Sequence, residues 1–211
     1  MKFQDLEIIE PVLKAVKDKN YIETTKIQEK AIPLVLRGKD VLGSAQTGTG
    51  KTAAFAIPII QNLYRTAGQH KVKPQIHALI VTPTRELAIQ IDENIREYSK
   101  YTRIKHAVIF GGVKQGMQVD KLRKGIHILT ATPGRLLDLI DQGFVHLNTL
   151  KVFVLDEADR MLDMGFIHDI KKILKIIPRK RQSLFFSATM PKKIVKLSDE
   201  ILSNPVRVNV N

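Results

Sequence analysis

The chain has 211 residues, 44% of them hydrophobic, enough for one well-buried domain and not clearly enough for two. Cysteine is absent, which excludes a disulfide framework and any zinc–thiolate centre. Lys and Arg number 34 against 21 Asp and Glu, and the resulting net charge of +13 points to a polyanionic partner, nucleic acid ahead of a membrane surface. The opening stretch, MKFQDLEIIE, carries acids among its apolar residues and has no signal-peptide core. No apolar run approaches the length of a bilayer span, so a cytoplasmic location without membrane attachment is expected.

From residue 40 onward, short apolar runs alternate with longer amphipathic ones. Strands are predicted over Asp40–Ala45, His77–Thr82, His106–Phe110, Ile126–Ala131, Val152–Asp156, Ser183–Ala188 and Val206–Val210. They are mostly apolar on both faces, as strands covered on both sides should be. The segments between them read as helices. In IHDIKKILKII, for example, Ile167, Ile170, Ile173, Leu174 and Ile177 recur at spacings of three and four. This alternation predicts an α/β fold, a mostly parallel sheet with helices on both faces. Pro/Gly-rich linkers and internal repeats are absent, so residues 1–211 are expected to form one domain. Open parallel sheets bind ligands beyond the carboxyl ends of their strands, which is where the unusual residues of this chain fall.

The first strand runs into AQTGTGKT, Ala45–Thr52, followed by a helix start. The phosphate-loop pattern is G-x-x-x-x-G-K-[ST]; Ala45 replaces its first glycine, while Gln46, Thr47, Gly48, Thr49, Gly50, Lys51 and Thr52 complete it. Backbone N–H groups of such a loop face phosphate oxygens, Lys51 reaches the β- and γ-phosphates, and the Thr52 hydroxyl serves Mg²⁺. The plainer reading is an ordinary Gly-rich strand-to-helix turn. The fifth predicted strand ends on Asp156 and Glu157. Alone, that pair could be a solvated strand end. Behind a phosphate loop, Asp156 is placed to hold Mg²⁺ and Glu157 to orient and deprotonate a water. VTPTRELA and TATPGRLL each end a strand and start a helix with a Thr near the cap and an Arg in the first turn. That makes a phosphate site blind to base identity, or, more simply, two capped helices.

At DEAD, Asp156–Asp159, the chain resembles the DEAD-box RNA helicases over nearly its whole length. AQTGTGKT is similar to their motif I, Pro83–Ala88 to motif Ia, Gly111–Gly112 to the double-glycine motif, Thr132–Arg135 to motif Ib and Ser187–Thr189 to motif III. Tyr21–Gln28 resembles the Q motif, with Asn20 where glycine is usual, Thr24 where proline is usual, and Phe3 at its isolated upstream aromatic. The stretches LDEADRMLDMGFIHDI and ATPGRLLDL look most like the bacterial RhlE-type subgroup. The resemblance implies the amino-terminal RecA-like domain of an ATP-dependent RNA helicase, with a Q-motif region over 1–37. It implies that ATP and Mg²⁺ are the cofactors, with Gln28 on the adenine edge, Tyr21 stacking on the ring, Thr25 supporting the loop and Phe3 nearby. It further implies that Pro83, Thr84, Arg85, Gly111, Gly112, Thr132, Pro133, Gly134 and Arg135 line a groove for the RNA sugar–phosphate backbone. Asp159, Ser187, Ala188 and Thr189 would couple the two sites. The family's second RecA-like domain and its arginine fingers do not follow residue 211, so a piece of a longer, monomeric protein is expected.

Two other readings stand beside this one: a nucleotide- and weak RNA-binding module without turnover, and a DNA-directed helicase. Nine Lys and Arg without an acid lie from Lys171 to Lys196, a pattern expected of a solvated face. The six histidines lack metal-ligand spacing.

Overall fold

All seven apolar runs form strands: β1 (Val41–Ser44), β2 (Ala78–Val81), β3 (His106–Ile109), β4 (Ile128–Ala131), β5 (Val152–Leu155), β6 (Gln182–Ser187) and β7 (Val206–Asn209). The structure, a computed structural model, describes residues 1–66 and 73–210. Most strands are a residue or two shorter than the apolar runs that announce them, because the flanking backbone turns to other partners. His127, for instance, offers its carbonyl to the N–H groups of both His77 and Ala78 instead of continuing β4 backward. The strands pair in parallel in the order β3-β4-β2-β5-β6-β1-β7.

Parallel neighbours need crossovers, and helices supply them. On one face lie α1 (Glu10–Asp18), α2 (Lys26–Leu36), α3 (Lys51–Thr66) and α4 (Arg85–Ser99), closing a core with Val16, Ile32, Phe55, Ile80, Ile95, Val154 and Phe186. On the other lie α5 (Gly116–Arg123), α6 (Pro133–Asp141), α7 (Ala158–Asp163), α8 (Ile167–Ile176) and α9 (Lys192–Ile201), over Leu79, Leu129, Leu139, Phe153, Ile173 and Phe185. The face predicted for α8 is the one that packs: Ile170, Ile173 and Ile177 are buried, with Ile167 and Leu174 partly so. Eight of the nine basic residues from Lys171 to Lys196 are exposed; the ninth, Arg181, lies over the Phe153 ring, 5.9 Å from its centroid.

The chain moves from β1 outward to β3 along one face and returns along the other. The loops after β1, β5 and β6 therefore meet at the same edge of the sheet, the place where such folds gather ligands. No helix among the described residues is long and apolar enough to cross a membrane.

Candidate nucleotide and nucleic-acid site

The loop of residues 45–50 leaves β1 and delivers Lys51 as the first residue of α3. Ala45 is fully buried, and its N–H donates to the Ser187 carbonyl at 3.3 Å, stitching the loop to β6. Gly50 takes φ +89°, and a Cβ there would run into the Gln28 amide, so only glycine fits. Lys51 is 4% exposed; its Nζ donates to Glu157 Oε1 at 2.7 Å and lies 3.8 Å from Asp156 Oδ1. Thr47 Oγ1 donates to the same Glu157 oxygen at 3.2 Å. Burial pushes the Asp156 carboxyl up to about 6; the Glu157 charge adds to that rise and Lys51 opposes it. Glu157 itself is left-handed, φ 56° and ψ 47°, a conformation that non-glycine residues hold only where surrounding structure imposes it.

Asp156 Oδ1 is buried and has no hydrogen-bond partner. An oxygen held dry beside a lysine, with the Thr52 hydroxyl on the cleft wall, suits a hard cation. Among the described residues no group of three or more His, Cys, Asp or Glu could hold a metal alone. Mg²⁺ needs none, since it is ordinarily bound through one or two carboxylates together with substrate phosphates.

The loop, the acid pair and the flank of α4 enclose a cleft of about 300 Å³. Tyr21 and Gln28 line one wall, and Gln90, Asn94 and Tyr98 of α4 line another. Gln28 is buried, accepts the Thr25 N–H at 2.9 Å and donates to the Gly50 carbonyl at 3.2 Å, so one amide ties the start of α2 to the phosphate loop. Tyr21 is packed between Phe3, at 6.2 Å and near-parallel, and Tyr98, at 6.4 Å and tilted. Phe3 departs from expectation. It is 2% exposed and does not line the cleft, so it backs Tyr21 instead of offering a face of its own. Asn20 has φ 57°, a conformation asparagine tolerates better than most, which explains why it can replace the usual glycine. Thr24 donates both its N–H, at 2.9 Å, and its hydroxyl, at 2.8 Å, to the Met1 carbonyl, bonds a proline could not make.

Asp159, Ser187 and Thr189 form a closed set. Asp159 Oδ2 accepts the Thr189 N–H and hydroxyl, each at 2.9 Å. Ser187 Oγ accepts the Asp159 N–H at 3.1 Å and donates to the Thr189 carbonyl at 2.7 Å. Burial would raise the Asp159 carboxyl, but the Thr189 and Ser187 hydrogen bonds outweigh it and hold it below its ordinary value. Ala188 carries the chain between the two hydroxyl residues.

Beyond β2, β3 and β4 the predicted RNA residues share one end of the sheet. Thr84 caps α4 by accepting the Leu87 N–H at 3.3 Å, whereas Thr132 sits at the α6 cap position without a capping hydrogen bond. Pro83 and Pro133 are buried and shape these turns. Gly111, Gly112 and Gly134 are exposed, with open space where a Cβ would project, so backbone is bare to a ligand. Arg85 is exposed and its guanidinium lies 4.9 Å from the Phe110 ring centroid. Arg135 is less free than its motif implies: Nη2 donates to the Val113 carbonyl at 2.9 Å, Nη1 to Gln118 Oε1 at 3.2 Å, and Nε lies 3.7 Å from Asp138. Gln118 also clasps Phe110, accepting its N–H at 3.2 Å and donating to its carbonyl at 3.1 Å. Phe110, Gln118 and Tyr98 were not signalled by any motif; what marks Gln118 is its burial, which the sequence does not show.

A parallel sheet with a phosphate loop at its switch point and an acid pair on the neighbouring strand end defines a RecA-like P-loop nucleotide-binding domain. Residues 25–197 match the family model described as DEAD/DEAH box helicase, and the chain belongs to that family. It is 48% identical over 208 residues to the DEAD-box ATP-dependent RNA helicase RhpA of Helicobacter pylori, covering 99% of this chain and 41% of that protein. It is 47% identical over 210 residues to the ATP-dependent RNA helicase CshA of Limosilactobacillus reuteri, covering 100% of this chain and again 41% of the relative. The crystal structure of a DEAD box protein from Methanococcus jannaschii superposes with a TM-score of 0.90 at 39% identity, covering all of this chain and 56% of that one. The chain thus spans about two fifths of the length of these curated relatives.

Proposed function

We propose that this chain is the ATP-binding half of an RNA helicase, which couples ATP binding and hydrolysis to clamping of RNA and local strand separation. The observation that carries the reading is the buried Lys51–Asp156–Glu157 cluster at the mouth of the phosphate loop. In this reading Lys51 exchanges its carboxylate partner for the β- and γ-phosphates, Gln28 turns its amide to the adenine edge, and Tyr21 stacks on the ring. Thr52 and Asp156 would hold Mg²⁺, which when bound offsets charge on the phosphates. Glu157 accepts the proton of the attacking water. Thr84, Arg85, the double glycine and Thr132 take the sugar–phosphate backbone of RNA, and the Asp159–Ser187–Thr189 set passes the state of one site to the other.

The relatives bear names of ATP-dependent RNA helicases. Likeness to the RhlE-type subgroup is carried by sequence pattern alone. Among the described residues no arginine lines the cleft. A cation opposite the γ-phosphate is worth about 10³–10⁵ in rate in related NTPases. Hence this chain alone should act mainly as a nucleotide- and weak RNA-binding module. The test measures ATP affinity, hydrolysis and duplex displacement for residues 1–211. Measurable nucleotide binding, very slow hydrolysis and no strand separation are expected; ATP-dependent unwinding by this chain, or no nucleotide binding at all, would refute the reading. Stimulation by DNA in place of RNA would favour a DNA-directed enzyme.

A further inference from the structure

Asp156 Oδ1 is not the only buried oxygen without a partner at this edge of the sheet. Thr82 Oγ1 is another, on a residue with no exposed surface. The two are neighbours. β2 and β5 pair with Val81 opposite Leu155, and the Asp156 N–H donates to the Val81 carbonyl at 3.0 Å, so the next residue along β2, Thr82, falls beside Asp156. Alternation along each strand puts both side chains on the face of Ile80 and Val154, beneath α3 and α4. Adjacent strands stand about 4.8 Å apart.

A buried hydroxyl with nothing to bond is uncommon in folded proteins. The strand that precedes it, Ala78–Val81, is wholly apolar and buried. Packing alone would be served as well by valine. Thr130 on β4 shows that an unpartnered hydroxyl is not by itself a site: it too is buried and orphaned, but it lies within its strand, paired opposite Ile80 and Val108. What distinguishes Thr82 is its place at the strand end beside the carboxylate argued above to hold Mg²⁺. Mg²⁺ keeps several waters when it binds protein, and those waters need acceptors. Groups just outside the ligand shell orient the ligands and tune metal affinity.

We propose that Thr82 is a positioning residue for the metal, its hydroxyl oxygen accepting a hydrogen from a Mg²⁺-bound water and so fixing the cation against Asp156. This rests on the nucleotide–metal reading above. The test is titration of fluorescently labelled ADP into residues 1–211, in Mg²⁺ and in EDTA, for the parent chain, Thr82→Val, Thr82→Ala and Thr82→Ser, with unliganded melting curves. The parent should bind more tightly in Mg²⁺. Thr82→Val and Thr82→Ala should each forfeit about tenfold of that gain, the value of one hydrogen bond at the upper end of its range, and keep the EDTA affinity. Thr82→Ser should restore the gain. The unliganded melting temperature of Thr82→Val should be unchanged or higher. Full Mg²⁺ enhancement in the valine and alanine variants, or a valine variant that fails to fold or melts lower, would assign the hydroxyl to the fold and overturn the proposal. A parent chain indifferent to Mg²⁺ would overturn the metal reading itself.

Discussion

Replacing Lys51 by methionine keeps most of the apolar stem and removes the charge that faces both carboxylates. The side chains of Lys51, Asp156 and Glu157 are 4%, 5% and 8% exposed, so solvent screens them little. Removing one partner of a buried ion pair strands the other and costs about 3–5 kcal/mol. From sequence alone the lysine is a nucleotide ligand whose loss leaves the fold untouched; its burial against two acids predicts a loss of stability as well. That loss should depend on pH. Asp156 already titrates near 6, against an ordinary 3.8, a difference of about 3 kcal/mol between its protonation states. For a carboxyl raised in the folded state, the penalty is absent below its unfolded pKa and grows as pH rises through the folded one. Without Lys51 the Asp156 carboxyl climbs further. Urea unfolding in EDTA without nucleotide should therefore show a larger deficit at about pH 8 than at about pH 5. Adding Glu157→Gln should recover part of it, because the two changes share one interaction. A deficit under about 1 kcal/mol at the higher pH, typical of exposed pairs, or the same deficit at both, would refute this account.

Three further outcomes are expected. Gln28→Ala should erase a preference for ATP over GTP worth about 1–3 kcal/mol, read from competitive binding; equal affinities in the parent chain would reject adenine recognition by this residue. Phe3→Ala should cost about 3–5 kcal/mol of stability through the cavity it leaves and also weaken nucleotide binding as Tyr21 loses its backing; lowered stability with intact nucleotide affinity would remove Phe3 from the site. Arg135→Lys should behave like Arg135→Ala, loosening the loop of residues 111–115 in hydrogen exchange and weakening RNA binding, since an ammonium cannot span Val113 and Gln118 as the planar fork does; rescue by lysine would show that charge alone matters there.

Sequence made the strands legible because a buried parallel strand must be apolar on both faces, and most of the seven runs were; the edge strand β7, with Arg207 and Asn209 exposed, is apolar on one side only. The phosphate loop and acid pair were legible because their chemistry demands particular residues at fixed local spacing. What stayed hidden depends on contacts distant along the chain. Phe3 could be matched to an upstream aromatic position, but only the packing of Tyr21 between it and Tyr98 shows that it lies behind the cleft wall. Thr84 and Thr132 look equivalent in their motifs, yet one caps its helix and the other does not. Arg135 reads as a free phosphate ligand until Gln118 and Val113 are seen to occupy its fork.

The order of strands has a consequence for how the protein is made. β1, which carries the phosphate loop, is first in sequence but lies between β6 and β7, the last two. A single carboxylate, Asp40 at its base, accepts the N–H of Ser183, 143 residues on, and of Ser203, 163 residues on. A chain emerging from the ribosome thus holds β1 with both edges bare until β6 and β7 have been synthesised. Long loop closures of this kind come late in folding. Ability to bind nucleotide would then appear abruptly, only once β6 and β7 have been made, and a product stopped before residue 182 would present an unpaired apolar strand, prone to association, in place of a weakened site.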